Sequence, residues 1–156
     1  MAAGSAADEY ARRLSALGLE IEVREFPEGT HTAADAAAAL GCPVAAIVKS
    51  LVFTLDDAPI LVLVSGANRV DTAALGRALG GTLGKADARL VKEATGFSIG
   101  AVPPLAHATS LTTVVDEDLL KLPIVWAAAG SSSSVFAIEP SQLVARSGGT
   151  VTRVTG

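Results

Sequence analysis

The clearest pattern in the chain is a pair of continuously apolar segments separated by a turn. Ile47 to Leu55 is rich in β-branched and aliphatic residues, Asp56 to Pro59 contains turn-forming residues, and Ile60 to Val64 is again apolar. Apolar runs of this length between turn residues indicate buried β-strands. The sequence therefore predicts a β-hairpin over these segments.

Helical periodicity and capping residues predict several short helices around the hairpin. In the first helix, Tyr10, Leu14 and Leu17 recur on one face, as expected for a side that packs on a core. Thr32 followed by Asp35 resembles a capping box, and aspartates begin two later helices that each end at a glycine. The predicted helices cover Asp8–Leu19, Ala36–Leu40, the segment from Asp71 to Leu79, the segment from Asp87 to Thr95, and Ser141–Arg146.

The remaining apolar segments are short and are separated by loops. They predict strands at Ile21–Phe26, Leu111–Val115, Ile124–Ala127 and Val135–Ile138, and one helical turn at Asp116–Leu120. Strands and helices alternate without the regular βαβ repeat of a doubly wound sheet, and neither an internal repeat nor a linker is visible. We therefore predict one domain over residues 1–156, of the mixed α/β (α+β) class, with a curved, barrel-like mixed β-sheet flanked by short helices.

The composition indicates one stable globular domain. Of the 156 residues, 50% are apolar and 18% are charged, unlike the composition of a disordered chain. Cys42 is the single cysteine, which excludes an internal disulfide framework, and no Cys/His cluster has the spacing of metal ligands. The sequence starts without a signal-peptide pattern, and no apolar run approaches the ~18 residues of a membrane helix. We therefore expect a cytoplasmic protein without membrane association.

The acidic charge balance limits the kind of nucleic acid that the protein can bind. The formal net charge is −4. Proteins that grip long nucleic acids by releasing counterions have basic stripes or patches. We therefore expect no DNA partner, and any polynucleotide must be contacted locally.

Lys49 is the most informative charged residue, because apolar residues surround it in the first strand of the predicted hairpin. Ile47, Val48, Leu51 and Val52 flank it. Such a lysine either points outward from an exposed edge strand or lines a pocket, and the sequence alone leaves both open. An inward-facing ammonium is costly to desolvate and needs an anionic or carbonyl partner, which would suit it to polarising an ester.

Two glycine-containing loops are candidates for substrate contact. In Gly96–Pro104, two glycines allow a ligand to approach the backbone, whose amides could form an oxyanion cradle; the alternative is a plain structural loop. Ala127–Ser134 could shape a pocket mouth around a small side chain and a ribose; the alternative is a flexible polar hairpin loop. The first loop lacks the ending of a P-loop and the GxGxxG of a dinucleotide site.

The histidines offer a third, weaker hypothesis. His31 and His107 are the two histidines of the chain, so a Ser-His-Asp triad is possible by count, but no GxSxG surrounds any serine. We expect each histidine to be a loop residue hydrogen-bonded to the backbone. The hypothesis of a serine hydrolase acting on small esters depends on one of them.

The order of these features resembles the YbaK/ProXp family of free-standing aminoacyl-tRNA deacylases, which is related to the editing domain inserted in many bacterial prolyl-tRNA synthetases. The resemblance covers nearly the whole chain and depends on the combined order and spacing of its parts. The parts are His31-Thr32 before the alanine-rich helix, Val48–Val52, Ser65–Asp71, Gly96–Pro104, and the Gly130 loop followed by Val135–Leu143.

The resemblance implies a reaction and its substrate. The reaction is hydrolysis of the ester that joins a wrong amino acid to the 3′-terminal adenosine of tRNA, which makes the protein a carboxylic ester hydrolase. The implied tRNA is the one for proline, carrying a small amino acid such as alanine, cysteine, serine or threonine. The resemblance implies no metal and no cofactor.

The resemblance also implies roles for individual residues. Lys49 would hold and polarise the carbonyl or the terminal ribose of the substrate, while water or a substrate hydroxyl attacks. Our candidates for oxyanion stabilisation are the amides of Ser98, Ile99, Gly100 and Ala101. The further implied substrate-binding residues are His31, Ser50, Gly96, Phe97, Gly130 and Ser131. Ser50 departs from the family, in which threonine or asparagine often follows the lysine, and this leaves the amino-acid specificity open.

The implied partner is the acceptor end of an aminoacyl-tRNA, with prolyl-tRNA synthetase or an elongation factor supplying further affinity. Arg69, Lys85, Arg89 and Lys92 are candidate phosphate contacts, or alternatively part of a solvated charged face. The competing hypothesis is a non-catalytic module of the same fold that only docks to a synthetase or to tRNA.

Overall fold

The computed structural model describes residues 6–26, 32–131 and 133–156. Within these ranges the chain forms five α-helices and eight β-strands. The helices are α1 (Ala6–Ala16), α2 (Ala33–Leu40), α3 (Thr72–Leu79), α4 (Ala88–Thr95) and α5 (Pro140–Ser147). The strands are β1 (Val23–Glu25), β2 (Val48–Leu55), β3 (Ala58–Ser65), β4 (Leu83–Lys85), β5 (Thr112–Asp116), β6 (Val125–Ala128), β7 (Ser134–Ile138) and β8 (Thr150–Thr152). Short 3-10 helices cover Val44–Ala46 and Glu117–Lys121.

The strands form two sheets, so the mixed α/β class is confirmed and the barrel-like sheet is wrong. One sheet has the order β4-β2-β3-β5-β8 and the other has the order β1-β7-β6. In the first sheet β5 runs parallel to both β3 and β8, whereas the remaining pairs are antiparallel. An isolated bridge between Ile47 and Trp126 joins the two sheets. No closed barrel forms within the described ranges, because the outer strands β4 and β8 each pair with one neighbour and leave both sides of this sheet open.

The predicted hairpin is confirmed as β2 and β3, with a tighter turn than expected. Leu55 pairs with Ala58, so the turn consists of Asp56 and Asp57 alone. Their φ angles are 48° and 71°, the left-handed conformation that two-residue hairpin turns require. Pro59 lies inside β3 opposite Thr54 rather than in the turn.

The predicted helix caps are confirmed for α2, α3 and α4. The Thr32 hydroxyl accepts a hydrogen bond from the Asp35 amide at 3.0 Å. Asp71 and Asp87 cap the next two helices through their carboxylates in the same way. All three helices end at a glycine in the left-handed conformation, which explains why these boundaries were readable from local sequence.

The N-terminal segment differs from the expectation. α1 ends at Ala16 rather than Leu19, and the Leu17 side chain is 62% exposed although it was expected on the buried face. The chain turns away there, since Gly18 has a φ of 87°. Tyr10 and Leu14 are buried, as the periodicity predicts. The following strand is also shorter than predicted, because β1 pairs with β7 over three residues.

Apolar side chains cover both faces of the five-stranded sheet. On one face, Leu61 and Leu63 of β3 belong to the cluster that includes α1 and the smaller sheet. On the other face, Val62 and Val64 pack with Leu75 of α3. Burial of both faces explains the uninterrupted apolar sequence of β3. The strand next to it, β2, is less buried and borders a cavity of about 570 Å³.

Candidate functional site

A cavity of about 570 Å³ lies along β2 and contains Lys49 in its wall. Its volume is within the range of small-molecule sites, roughly 300–1,000 Å³. β4 borders it through Lys85, and β6 borders it through Trp126. Apolar side chains predominate in the wall, and a few polar groups stand among them, which is the usual composition of a ligand site.

The Lys49 ammonium is held at one point by the backbone. Its Nζ donates a hydrogen bond to the main-chain carbonyl of Asn68 at 2.8 Å, and the bond is partly buried. Of the two alternatives for Lys49, the structure therefore shows the lysine that lines a pocket. A lysine ammonium has three N–H donors, so two remain for a ligand.

Asn68 is itself fixed by two carboxylates. Its side-chain amide donates to Asp116 at 2.8 Å and to Asp118 at 2.7 Å. Asp116 is 1% exposed, and it also accepts from the amides of Ser65 and Asp118, each at 3.0 Å. A buried carboxylate needs such donors to offset its lost hydration. The result is a continuous path of hydrogen bonds from the buried end of β5 to the ammonium of Lys49.

The electrostatic environment shifts the pKa of Lys49 downward. Partial burial is the largest cause, and the nearby Arg69 guanidinium lowers the pKa of Lys49 further. The Asp116 carboxylate acts in the opposite direction and favours the ammonium form. The charge of Lys49 therefore depends on its neighbours, as is typical of residues at functional sites.

Ser50 contributes a hydroxyl without a partner. Its Oγ is buried and makes no hydrogen bond with the part of the chain that the structure describes. The residue lines the same cavity as Lys49. An unpaired buried hydroxyl costs about 1–3 kcal/mol, so its retention points to a partner that binds there.

The Gly96–Pro104 loop separates the Lys49 cavity from a second cavity of about 300 Å³. Ile99 and Gly100 line the first cavity. The second contains four other predicted residues of this loop: Gly96, Phe97, Ser98 and Ala101. The Ala101 amide already donates to the Ser98 carbonyl at 2.9 Å. Of the four residues whose amides are predicted oxyanion donors, Ile99 and Gly100 therefore line the Lys49 cavity, whereas Ser98 and Ala101 line the second one.

Phe97 forms part of the wall between the loop and α1. Its ring packs edge-on against Tyr10, with a centroid separation of 6.1 Å, and the Arg13 guanidinium lies 5.6 Å from its centre. The Tyr10 hydroxyl donates to the Leu105 carbonyl at 3.0 Å. These contacts anchor the loop on α1, and Phe97, predicted to bind substrate, lines the second cavity rather than the Lys49 cavity.

The serine-rich loop also contributes to both cavities. Ser131 lines the Lys49 cavity, whereas Gly130 lines the second one. The hydroxyls of Ser131 and Ser134 are 2.6 Å apart, and the Ala129 amide donates to the Ser134 carbonyl at 3.0 Å. The described residues of this loop therefore bring the hydroxyls of Ser131 and Ser134 together at the cavity wall.

The candidate tRNA contacts are not grouped together. Lys85 lines the Lys49 cavity, and Arg69 is exposed directly after Asn68. Arg89 is engaged in an ion pair with Glu93 at 2.9 Å. Lys92 lines the second cavity, where its Nζ donates to the Gly96 carbonyl at 3.2 Å. By position, Lys85 and Arg69 are nearest to the Lys49 site.

Of the two histidines of the sequence, His107 does not line the Lys49 cavity. His31 lies outside the described residues. The ring of His107 is hydrogen-bonded to the Pro103 carbonyl at 2.6 Å, and its burial lowers the pKa of the imidazole. This contact agrees with the expected role of a loop histidine bonded to the backbone.

Sequence reasoning missed two parts of the site. Asn68 belongs to the Ser65–Asp71 turn, but nothing in the sequence links it to Lys49 or to Asp116. Trp126 was assigned only to a strand, although it forms part of the cavity wall. The one available signal was the polar cluster of Asn68, Asp116 and Asp118 at the ends of apolar strands.

The described residues contain no group of three or more His, Cys, Asp or Glu side chains arranged to hold a metal ion. Within the same ranges, no helix has both the length and the apolar character needed to cross a membrane.

Comparison with known proteins identifies related sequences. The model of the aminoacyl-tRNA editing domain family matches residues 27–145. An uncharacterised protein of Bacillus subtilis (strain 168), YwhH, is 30% identical over 125 residues, which cover 80% of each protein. A proline–tRNA ligase of Lactobacillus helveticus (strain DPC 4571) is 31% identical over 109 residues, which cover 69% of this chain but 19% of the ligase.

A solved structure resembles the whole chain. It is the crystal structure of a protein described as a candidate trans-editing enzyme for prolyl tRNA synthetase. The two chains are 42% identical, superpose with a TM-score of 0.92, and cover 98% of each other. The fold and nearly all of the chain are thus shared with that protein.

Proposed function

Because the chain belongs to the aminoacyl-tRNA editing domain family, also known as the YbaK/ProX family, we propose that it hydrolyses the ester of mischarged aminoacyl-tRNA. The proposed substrate is tRNA for proline that carries a small wrong amino acid, namely alanine, cysteine, serine or threonine. The observation that carries the proposal is the Lys49 ammonium, which lies in the wall of the cavity and is held by the Asn68 carbonyl.

Lys49 acts as an electrostatic anchor in this proposal. One of its N–H groups is bound to Asn68, and the other two are directed to the substrate carbonyl or to the terminal ribose. Positive charge fixed near the carbonyl stabilises the negative charge that develops on its oxygen during attack. An ammonium is no nucleophile, so Lys49 neither forms a covalent intermediate nor removes a proton.

The loop amides complete the stabilisation of the oxyanion. The Ile99 and Gly100 backbone lies at the same cavity as Lys49. Backbone N–H groups need no reorganisation when charge develops, which is why they are effective donors for an oxyanion. Hydrolysis then breaks the bond between the acyl carbon and the ribose oxygen. The attacking water leaves its hydroxyl on the acyl carbon, and its proton reaches the ribose oxygen.

The wall of the cavity limits the size of the aminoacyl side chain. Ala128 provides apolar surface, and Ser131 and Ser134 provide hydroxyls. A small side chain that carries a hydroxyl or a thiol has polar partners in these two serines.

A deacylation panel tests the proposal. Purified protein is incubated with tRNA for proline charged with alanine, cysteine, serine, threonine or proline, and the release of each amino acid is followed. We expect repeated turnover on at least one mischarged species and none on prolyl-tRNA. The Lys49→Ala variant should lose the activity, whereas Arg77→Ala, which removes an exposed positive charge on α3 outside both cavities, should retain it.

The panel also separates the proposal from the non-catalytic alternative. A docking module would bind the charged tRNA but would release no amino acid beyond the spontaneous rate. Absence of Lys49-dependent release from every charged tRNA would contradict the proposed function.

A further inference from the structure

The first half of β2 presents an open backbone edge to the Lys49 cavity. In the β2–β3 hairpin, Leu55 pairs with Ala58 across a two-residue turn, so these two residues form a hydrogen-bonded pair. Every second residue before Leu55 in β2 is then also hydrogen-bonded to β3. The Gly66 amide donates to the Ile47 carbonyl at 2.7 Å in the same register. The backbone groups of Val48, Ser50 and Val52 therefore point away from β3, toward the other edge of the strand.

Two elements cover the ends of that edge and leave its middle open. β4 pairs with β2 at Phe53–Leu55, and the parallel bridge of Ile47 with Trp126 covers the start of β2. The pairing of β4 with β2 ends at Lys85 and Phe53, so Val52 and Ala86 do not form a further pair. Among the described residues, no strand pairs with Ser50 on this side, and the cavity lies there instead.

The open edge presents a fixed pattern of hydrogen-bonding groups. The Ser50 carbonyl is an acceptor, and the Val52 amide, two residues further along, is a donor on the same side. Unpaired edge groups of this kind bind a ligand that supplies the complementary pair. Ile99, Val102 and Trp126 add apolar surface to the same cavity, so a flat ring has both edge and face contacts.

We propose that this edge binds the terminal adenine of the substrate, with the adenine 6-amino group donating to the Ser50 carbonyl and adenine N1 accepting from the Val52 amide. The inference rests on the proposed function, because tRNA ends in adenosine. It adds a base-recognition site that uses the backbone alone. Apolar and aromatic walls favour a flat base in this position, since bases stack on such side chains.

The chemistry of the edge discriminates between possible occupants. Guanine presents an acceptor and a donor in the reverse order, so it opposes the same two groups. The α-ammonium of the amino acid only donates, so it leaves the Val52 amide unpaired. Cytosine presents the same order as adenine and precedes it in tRNA, and the experiment must therefore distinguish these two bases.

Substrates with an altered terminal base test the inference without changing the protein. Mischarged tRNAs are prepared that end in adenosine, in 1-deazaadenosine, in purine riboside without the 6-amino group, or in 7-deazaadenosine. We expect kcat/KM to fall about tenfold or more for the second and third, because each lost hydrogen bond leaves a buried group unpaired. The 7-deaza substrate is the matched control and should react like adenosine.

A binding measurement on the same protein identifies the base. Amide resonances are followed by nuclear magnetic resonance during titration with AMP, CMP and GMP. We expect AMP to shift the Ser50 and Val52 amides and GMP to leave them unchanged. Shifts of these amides by CMP that equal those by AMP would overturn the assignment to adenine.

The outcomes separate this inference from the proposed function. Equal, Lys49-dependent rates on all four terminal bases would overturn the adenine site and leave the deacylase proposal intact. Absence of hydrolysis with every tRNA, together with AMP-specific shifts at Ser50 and Val52, would support the adenine site and contradict the deacylase.

Discussion

Lys49 and Asn68 form the central contact of the candidate site, since the ammonium of one donates to the main-chain carbonyl of the other at 2.8 Å. The Asn68 side chain is bound in turn to Asp116 and Asp118. A single residue therefore connects a buried carboxylate with the group proposed to hold the substrate.

Asn68→Ala should lower activity while leaving the carbonyl that binds Lys49 in the chain. The side-chain bonds to the two aspartates would be lost, so the turn would no longer fix that carbonyl. We expect kcat to fall about tenfold and the free energy of unfolding to fall by about 1–3 kcal/mol, measured by steady-state deacylation and by denaturant unfolding. Asp118→Ala removes one of the two bonds, so it should have the smaller effect. Equal activity of Asn68→Ala and the unaltered protein would contradict a positioning role.

The pH dependence of activity should reflect the lowered pKa of Lys49. Its folded-state pKa lies below the ordinary lysine value, so the ammonium is lost at a lower pH than in an exposed lysine. Lysine-dependent activity should therefore decline as the pH rises through that lowered value. Between that lowered value and the ordinary lysine pKa, the unfolded chain binds more protons at Lys49 than the folded chain does. The contribution of Lys49 to stability therefore improves as the pH rises through this range.

Asp116→Asn provides the control for this pH dependence. Asp116 raises the pKa of Lys49, so removal of its charge should move the alkaline decline to a still lower pH. The charged groups close to Lys49 and Asp116 are Arg69, Asp118, Lys121 and, at the cavity, Lys85. Spontaneous ester hydrolysis is subtracted at each pH. An alkaline decline at the same pH in both proteins would show that Asp116 does not act on Lys49.

Ser50→Ala should maintain or increase stability and reduce activity. The substitution removes a buried hydroxyl that has no partner in the described structure, and we expect the free energy of unfolding to rise by about 1 kcal/mol. Ser65→Ala is the matched control, because the Ser65 hydroxyl donates to the Ala45 carbonyl at 2.7 Å. That variant should lose about 1 kcal/mol. A loss of stability in Ser50→Ala would mean that the hydroxyl already has a partner.

Gly66→Ala should destabilise the turn that carries Asn68. A Cβ at this position would lie 2.5 Å from the Val44 carbonyl oxygen, which belongs to the backbone and cannot move aside alone. We expect a loss of about 1–3 kcal/mol in the free energy of unfolding. Gly84→Ala is the comparison, because its Cβ would meet the side-chain oxygen of Thr54 at 2.8 Å, and that side chain can rotate. Equal thermal midpoints for the two variants would contradict the backbone explanation.

The sequence predicted the elements that depend on neighbouring residues. The β2–β3 hairpin and the caps at Thr32, Asp71 and Asp87 are local features, and the structure contains all of them. Lys49 was identified in the same way, because a charged residue within an apolar strand is visible without knowledge of the fold.

Features that depend on distant pairing were not predictable in this way. β4 and β8 have three residues each, too few for a pattern, and they exist because they pair with β2 and β5. The contact of Ser65 with Asp116 joins positions 51 residues apart. The barrel-like prediction failed for the same reason, since sheet closure depends on which strands meet at the edges.

The order in which the strands pair has a consequence for synthesis on the ribosome. β3 pairs in parallel with β5, and β5 pairs in parallel with β8, while the Asp71 amide donates to the carbonyl of the buried Val154 at 2.8 Å. Parallel strands so far apart in sequence cannot pair until the later strand has been synthesised. The β2–β3 hairpin can form early, but the rest of its sheet cannot form until the segment that ends at Val154 has been synthesised. Until then, the apolar strand β3 offers an unprotected edge to chaperones and to other nascent chains.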